Sequence, residues 1–194
     1  ASYARQVARQ LDGLERETLD AMAGEGGGSL QLAAVPTFAT RWLIPRLPAL
    51  ARAHPDITVH IETRTRPFLF NDSPFDAALY AGTPSQAANW PGTTSTELLR
   101  EDVVPVCSPE LIAPHHNVTP AAVAQLPLLQ QSTRPEGWRQ WFDAQGVDAP
   151  RALSGPRYEL FSMLAVAAAH GLGVALMPTL LIEAELRRGE LVVA

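Results

Sequence analysis

Apolar and polar positions follow two different periods along this chain, which predict strands and helices in turn. From Ile57 to Ile61 every second residue is apolar, the period of a strand with one buried face. Tyr3, Val7 and Leu11 recur at four-residue spacing, the period of a helix. The predicted strands are 30–35, 57–62, 76–80, 94–99, 103–107, 128–130, 153–157, 173–177 and 191–193. The predicted helices are 1–23, 36–53, 120–126, 135–145, 159–170 and 180–188.

Strands that alternate with helices of this length predict an α/β fold, with a parallel or mixed sheet covered by helices. One helix carries a conflict, because Pro45 and Pro48 lie inside the span 36–53. Proline lacks the backbone N–H that a helix interior needs. We therefore expect this helix to start late, to kink or to be broken.

The first 29 residues allow two interpretations. Residues 1–23 form either a helix packed on its own domain or a helix that pairs with a second chain, since charges flank its apolar stripe. The glycine-rich segment 24–29 then follows a helix and precedes a strand, which predicts a hinge and not a phosphate-binding loop. The chain begins without methionine and stops on an apolar run, so we expect it to be part of a longer protein.

Composition narrows the class of protein. The 194 residues are 46% hydrophobic and carry a net charge of -5, which argues against a chain that mainly binds nucleic acid. Cys107 is the single cysteine, so an internal disulfide framework and a multi-cysteine zinc site are excluded. No apolar run reaches the roughly 18–20 residues that span a bilayer. The first thirty residues do not have the pattern of a secretory signal peptide, and we expect no membrane partner.

Motifs for catalysis are weak. The sequence contains no Gly-x-Ser-x-Gly nucleophile motif, no phosphate-loop lysine motif and no paired histidines at metalloprotease spacing. His115 and His116 have no third ligand nearby in sequence, and a reactive Cys107 would need an electropositive setting. We expect no catalytic residues, no metal and no cofactor.

Two junctions between a strand and a helix are better candidates for binding. Thr37 and Phe38 follow the first strand, and Ser132 follows the strand at 128–130. Ligands of open α/β sheets bind at the carboxyl ends of strands, where free backbone N–H groups suit a carboxylate. Ordinary helix capping or turn formation is an equally good account of Thr37 and Ser132.

Several segments, taken in order, resemble the effector-binding part of LysR-type transcriptional regulators. The segment 136–141 (EGWRQW) favours the subgroup that resembles the glycine-cleavage activator and the beta-lactamase regulator. The other matching segments are 30–39 (LQLAAVPTFA), 42–47 (WLIPRL) with 54–57 (HPDI), 75–79 (FDAAL), 101–111 (EDVVPVCSPEL) and 171–178 (GLGVALMP).

The resemblance implies two Rossmann-like lobes similar to a type 2 periplasmic-binding-protein fold. On this interpretation residues 1–23 end a linker helix used for dimerisation, 24–29 are a hinge, 30–102 form the first lobe, and 103–194 form the second lobe without its C-terminal end. The resemblance places a small-molecule effector, such as an organic acid or an amino-acid-like compound, in a cleft between the lobes. The implied effector-binding residues are Thr37, Phe38, Val106, Cys107, Ser132, Tyr158 and Phe161.

The resemblance also implies a cytoplasmic homodimer or homotetramer that binds DNA through a helix-turn-helix domain absent from this chain. Phe38 and Phe161 can equally be core residues, and Tyr158 can pack without touching a ligand. Two other functions stay open at this point. One is a solute-binding protein of a transporter, which shares the two-lobed architecture, and the other is a small-molecule enzyme on an α/β scaffold.

Overall fold

The structure is a computed structural model that describes residues 28–66, 68–70, 73–82, 90, 92–113 and 118–194. The chain divides into two units, with the boundary between Glu97 and Leu98. The helix predicted over 1–23 and the hinge residues 24–27 lie outside the described residues, as do His115 and His116.

The first unit is built on a parallel sheet of β1 (Gly28–Ala34), β2 (Ile57–Thr63) and β3 (Ala77–Leu79), in the order β2-β1-β3. All three strands were predicted from the sequence. β1 begins two residues earlier than expected, because Gly28 already pairs with Ile57. The last two residues of the predicted hinge therefore belong to the strand.

The prolines break the helical connection between β1 and β2, as the sequence predicted. Pro45 is the second residue of a 3-10 turn and Pro48 lies in the first turn of the helix that follows, where a missing N–H costs little. The connection consists of α1 (Pro36–Phe38), a π-helical turn (Ala39–Leu43), a 3-10 turn (Ile44–Arg46) and α2 (Leu47–Ala53).

The second unit is built on a mixed sheet with the strand order β6-β5-β7-β4-β8. β5 is parallel to β6 and β7, whereas β4 is antiparallel to β7 and β8. Its strands are β4 (Val103–Cys107), β5 (Leu128–Gln131), β6 (Arg157–Tyr158), β7 (Val174–Pro178) and β8 (Val192–Val193). Its α-helices are α3 (Pro109–Ile112), α4 (Pro120–Val123), α5 (Gly137–Ala144), α6 (Phe161–Ala169) and α7 (Glu183–Arg188), and a 3-10 turn (Thr179–Leu181) precedes α7.

Both faces of this second sheet are buried. Neighbouring residues of a strand point to opposite faces of the sheet. A strand that is covered on both faces therefore has apolar residues at successive positions of its sequence. One core cluster contains Val106, Leu129 and Ala175 together with α6, and the other contains Cys107, Leu128 and Val174 together with α5. The unbroken apolar runs in these strands follow from this double cover.

Two strand predictions were wrong. Residues 94–99 form no strand, and Leu98 and Leu99 are 55% and 43% exposed. The strand predicted over 153–157 is reduced to Arg157 and Tyr158, because a turn at Gly155 with φ +120° interrupts it.

Within the described ranges, no helix has both the length and the apolar character needed to cross a membrane. In the same ranges, no group of three or more His, Cys, Asp or Glu side chains is placed to hold a metal ion.

Candidate functional site

Polar side chains gather where the parallel strands of the second sheet end. β5 and β6 run parallel with Gln131 beside Tyr158, and β7 runs parallel to β5 and ends at Pro178. The antiparallel β4 starts at the same place, since Val103 pairs with Pro178. We call this side, marked by Gln131, Tyr158 and Pro178, the carboxyl edge of the second sheet. In open α/β folds this is the side on which ligands bind.

Gln131 organises the turn that follows β5. Its Nε2 donates a hydrogen bond of 2.7 Å to the carbonyl of Glu159, and its Oε1 accepts one of 3.2 Å from the backbone N–H of Arg134. The backbone N–H of Ser132 donates to the carbonyl of Tyr158 at 2.8 Å. These bonds fix the backbone of the turn and leave Ser132 exposed at the carboxyl edge.

Arg134 is the cationic group of this turn. Its guanidinium makes two hydrogen bonds to the carboxylate of Glu101, with N–O distances of 2.7 and 2.9 Å. The same guanidinium lies 5.0 Å from the centre of the Phe161 ring, within the range of a cation–π interaction. The two charged side chains are 31% and 33% exposed. A planar guanidinium with two parallel N–H bonds is the usual means by which proteins bind a carboxylate.

Tyr158 and Phe161 are half-buried and pack against the core cluster that contains α6. Phe161 is the first residue of α6, whose N-terminal end therefore lies at the carboxyl edge of the second sheet. The structure thus brings three of the predicted residues together: Ser132 follows β5, Tyr158 ends β6, and Phe161 begins α6.

Thr37 and Phe38 belong to the first unit, directly after β1. Thr37 is 5% exposed, and its carbonyl accepts a hydrogen bond of 3.2 Å from the hydroxyl of Thr40. Phe38 stacks on Trp42 with a centroid distance of 4.8 Å, so its ring is partly engaged in packing. The two predicted residues are adjacent at the end of the middle strand of their sheet, and Thr37 offers little surface.

Val106 and Cys107 lie inside the second unit and not on its surface. Both side chains are fully buried, one in each of the two core clusters. Burial raises the pKa of the Cys107 thiol to about 11, so the reactive thiolate is scarce at neutral pH. In this structure both residues support the sheet and present no surface to a ligand.

Three residues of this site were not among the predicted ones: Glu101, Gln131 and Arg134. Arg134 lies two residues after the predicted Ser132, at the same junction between a strand and a helix, so its charge was available as a signal. Glu101 gave no such signal, because it lies 33 residues from Arg134 and only the folded sheet brings them together.

Comparisons with known proteins all point to one family of proteins. The family model for the LysR substrate binding domain matches residues 23–194. The chain is 31% identical to the glycine cleavage system transcriptional activator of Escherichia coli (strain K12) over 194 residues, which covers 98% of this chain and 61% of that protein. It is 34% identical to the transcriptional activator AmpR of Rhodobacter capsulatus, over 80% of this chain and 51% of that protein. The chain thus spans between half and two thirds of these relatives.

Solved structures agree with the sequence matches. The effector domain of AmpR from Pseudomonas aeruginosa superposes with a TM-score of 0.73 at 29% identity, covering 86% of this chain and 78% of that one. The AmpR effector-binding domain of Citrobacter freundii gives a TM-score of 0.73 at 27% identity, covering 86% and 80%. These matches confirm the predicted fold, which resembles a type 2 periplasmic-binding protein. The chain belongs to the LysR substrate-binding domain family, which consists of transcriptional regulators and not of enzymes.

Proposed function

We propose that this chain senses a small-molecule effector for a LysR-type regulator that binds DNA. The observation that carries the proposal is the convergence of Ser132, Tyr158 and Phe161 on the carboxyl edge of the second sheet. An open α/β sheet binds ligands on that side, and α6 directs its positive N-terminal end there.

We further propose that the effector is an organic acid or an amino-acid-like compound. Arg134 supplies a guanidinium suited to a carboxylate, and the exposed hydroxyl of Ser132 supplies a hydrogen-bonding group. Thr37 and Phe38 would contribute from the corresponding end of β1 in the first unit. Val106 and Cys107 act in this proposal only as the buried support of the site, since neither side chain is exposed.

A thermal-shift screen with amino acids and small organic acids tests the site, followed by calorimetry on any compound that raises the unfolding temperature. Thr37→Val removes a hydroxyl with little change in volume and should weaken binding of the hit by roughly fivefold or more, about the loss of one hydrogen bond. Thr40→Val is the matched control. It removes a hydroxyl from the same helical connection. That hydroxyl donates hydrogen bonds to the carbonyls of Pro36 and Thr37, so its loss should leave the affinity for the hit unchanged.

Unchanged affinity in Thr37→Val would contradict the proposed role of Thr37. A screen in which no amino acid or organic acid stabilises the protein would contradict the proposed effector class.

The proposed mechanism is a shift of populations. An effector that prefers one arrangement of the protein increases the share of that arrangement, and the change reaches the DNA-binding domains through the pairing of subunits. We propose a homodimer or homotetramer that acts in the cytoplasm, with residues 1–23 as part of the pairing helix and DNA bound by a helix-turn-helix domain. Light scattering should show a dimer or tetramer that becomes a monomer when residues 1–23 are deleted. A deletion variant with an unchanged mass would contradict the role of that segment.

A further inference from the structure

Glu101 already binds the guanidinium of Arg134, the cationic group that a ligand with a carboxylate would use. Both guanidinium N–H bonds point at one carboxylate, with distances of 2.7 and 2.9 Å. This is the geometry in which arginine binds a free organic acid. Glu101 thus stands in the structure where the carboxylate of a ligand would stand.

The setting of this pair differs from that of an ordinary surface ion pair. Arg188 and Glu190 also form a two-bond pair, yet they are two residues apart and their side chains are 55% and 49% exposed. Arg134 and Glu101 are 33 residues apart, and about two thirds of each side chain is covered. Phe161 lies against the guanidinium and keeps it at the carboxyl edge of the second sheet. The remaining exposed third leaves a path for an incoming anion.

Glu101 belongs to the segment that leads into β4. The next residue, Asp102, accepts a hydrogen bond of 2.9 Å from the backbone N–H of Thr179, which follows β7. The backbone there is fixed by this bond, whereas the side chain of Glu101 is free to rotate away once Arg134 has another partner. An exchange of carboxylates therefore needs only a side-chain movement at Glu101.

We propose that Glu101 is an internal competitor for the carboxylate-binding site of Arg134, so that an acidic effector binds by displacing it. The inference rests on the proposed effector site and adds its ligand chemistry and its regulation. Glu101 lowers the affinity for every carboxylate, and its side chain leaves Arg134 when one binds.

Acetate is the simplest probe of this exchange, and acetamide is its uncharged counterpart. The Nε–H resonance of Arg134 is followed by NMR in protein with ¹⁵N-labelled arginine while sodium acetate is added at constant ionic strength. Glu101→Gln removes the competitor and should lower the dissociation constant for acetate by roughly three- to fivefold, the scale expected of a partly exposed ion pair. Acetamide should leave the resonance unmoved.

Glu190→Gln is the matched control, because it removes the same charge from a two-bond pair elsewhere in the second unit. It should bind acetate as the original protein does. Arg134→Lys, placed in the Glu101→Gln background, keeps the positive charge and loses the planar pair of donors. With all arginine resonances followed together with the unfolding temperature, this variant should lose most of the acetate affinity gained by Glu101→Gln.

Equal acetate affinity in the original protein and in Glu101→Gln would overturn the proposal, as would an Arg134 resonance that acetate never shifts. These results are separate from the metabolite screen. A metabolite that binds with the same affinity to Glu101→Gln overturns the competition and leaves the effector site standing. Acetate that binds as expected, in a protein that no amino acid or larger organic acid stabilises, supports the competition at Arg134 and contradicts the proposal that such a larger compound is the effector.

Discussion

At the scale of single residues, Ser108 and Thr119 show how similar sequences lead to different interactions. Each precedes a proline that opens a short helix, the usual signature of an N-cap. The hydroxyl of Thr119 accepts a hydrogen bond of 3.2 Å from the backbone N–H of Ala122. The hydroxyl of Ser108 is buried and has no hydrogen-bond partner among the described residues.

This difference predicts opposite effects of removing the two hydroxyls. Thr119→Ala should lower the free energy of unfolding by about 1 kcal/mol, the usual cost of losing an N-cap. Ser108→Ala should leave it unchanged or raise it, because burying a polar group without a partner costs about 1–3 kcal/mol. Urea unfolding followed by tryptophan fluorescence measures both values. Equal losses in the two variants would show that Ser108 also caps its helix.

Cys107 predicts a dependence of stability on pH. Its pKa is about 11 in the folded protein, against an ordinary value of 9.0, because burial disfavours the thiolate. Between these two values the unfolded chain has lost the thiol proton and the folded chain has kept it, so stability falls as pH rises. The fall should reach no more than about 3 kcal/mol, since each pKa unit is worth about 1.4 kcal/mol.

Cys107→Ala is the control for this titration, because other groups also titrate at alkaline pH. The free energy of unfolding, measured by urea at a series of pH values from 8 upward, should fall more steeply for the original protein than for the variant. Parallel curves would mean that the Cys107 thiol does not contribute to the loss of stability.

At the scale of elements, α5 is attached to the sheet by one buried hydrogen bond. The indole Nε1 of Trp138 donates to the carbonyl of Leu129 in β5 at 2.9 Å, and its ring stacks on Phe142. Trp141, on the same helix, packs edge-on against Trp138 at 5.7 Å and is less buried. The two tryptophans therefore form a matched pair for substitution by phenylalanine.

Trp138→Phe should destabilise the protein by about 2–3 kcal/mol, because it leaves the carbonyl of Leu129 without this donor and removes part of a filled core. Trp141→Phe should cost less than about 1 kcal/mol. Thermal unfolding followed by far-UV circular dichroism compares the two. A larger loss in Trp141→Phe would contradict the attachment of α5 through Trp138.

The elements that the sequence predicted well are those whose burial is uniform. β4 and β7 are apolar throughout and β5 begins with two buried leucines, because helices cover both sheet faces, and the positions of these strands were confirmed. Residues 94–99 were predicted wrongly because Leu98 and Leu99 find no buried face to pack on. The strand at 153–157 failed for a long-range reason. A Cβ at Gly155 would lie 2.1 Å from the carbonyl oxygen of Leu128, a close approach that no local pattern reveals.

At the scale of the whole molecule, the sequence indicated the family and most of the α/β order. By resemblance it also predicted seven effector-binding residues, of which Ser132, Tyr158 and Phe161 lie close together in the second unit. It could not find the ion pair of Arg134 with Glu101, since their pairing depends on β4 and β5 lying in one sheet. It also placed Val106 and Cys107 in the effector site by resemblance alone, whereas the structure buries both. Residue type and order thus predict the fold better than they predict which side chains are exposed.

The distribution of the core predicts that the second unit folds by itself. Both of its core clusters, together with the partly buried side chains around them, consist of residues from 98–194. A fragment of residues 98–194 should therefore unfold in one cooperative transition and keep the near-UV circular dichroism of the packed Trp138.

A fragment of residues 108–194 is the matched control, because it lacks only the segment before β4 and β4 itself. β4 lies between β7 and β8 in the sheet, so its removal exposes the backbone of both neighbours and uncovers both core clusters. The shorter fragment should show no cooperative transition and no near-UV signal. If the longer fragment had no transition, the second unit would depend on the first for its stability, and if both fragments unfolded alike, β4 would not be needed for the fold. Cooperative folding of the longer fragment alone would show that β4 completes an independent folding unit, the unit that holds Arg134, Glu101 and Ser132.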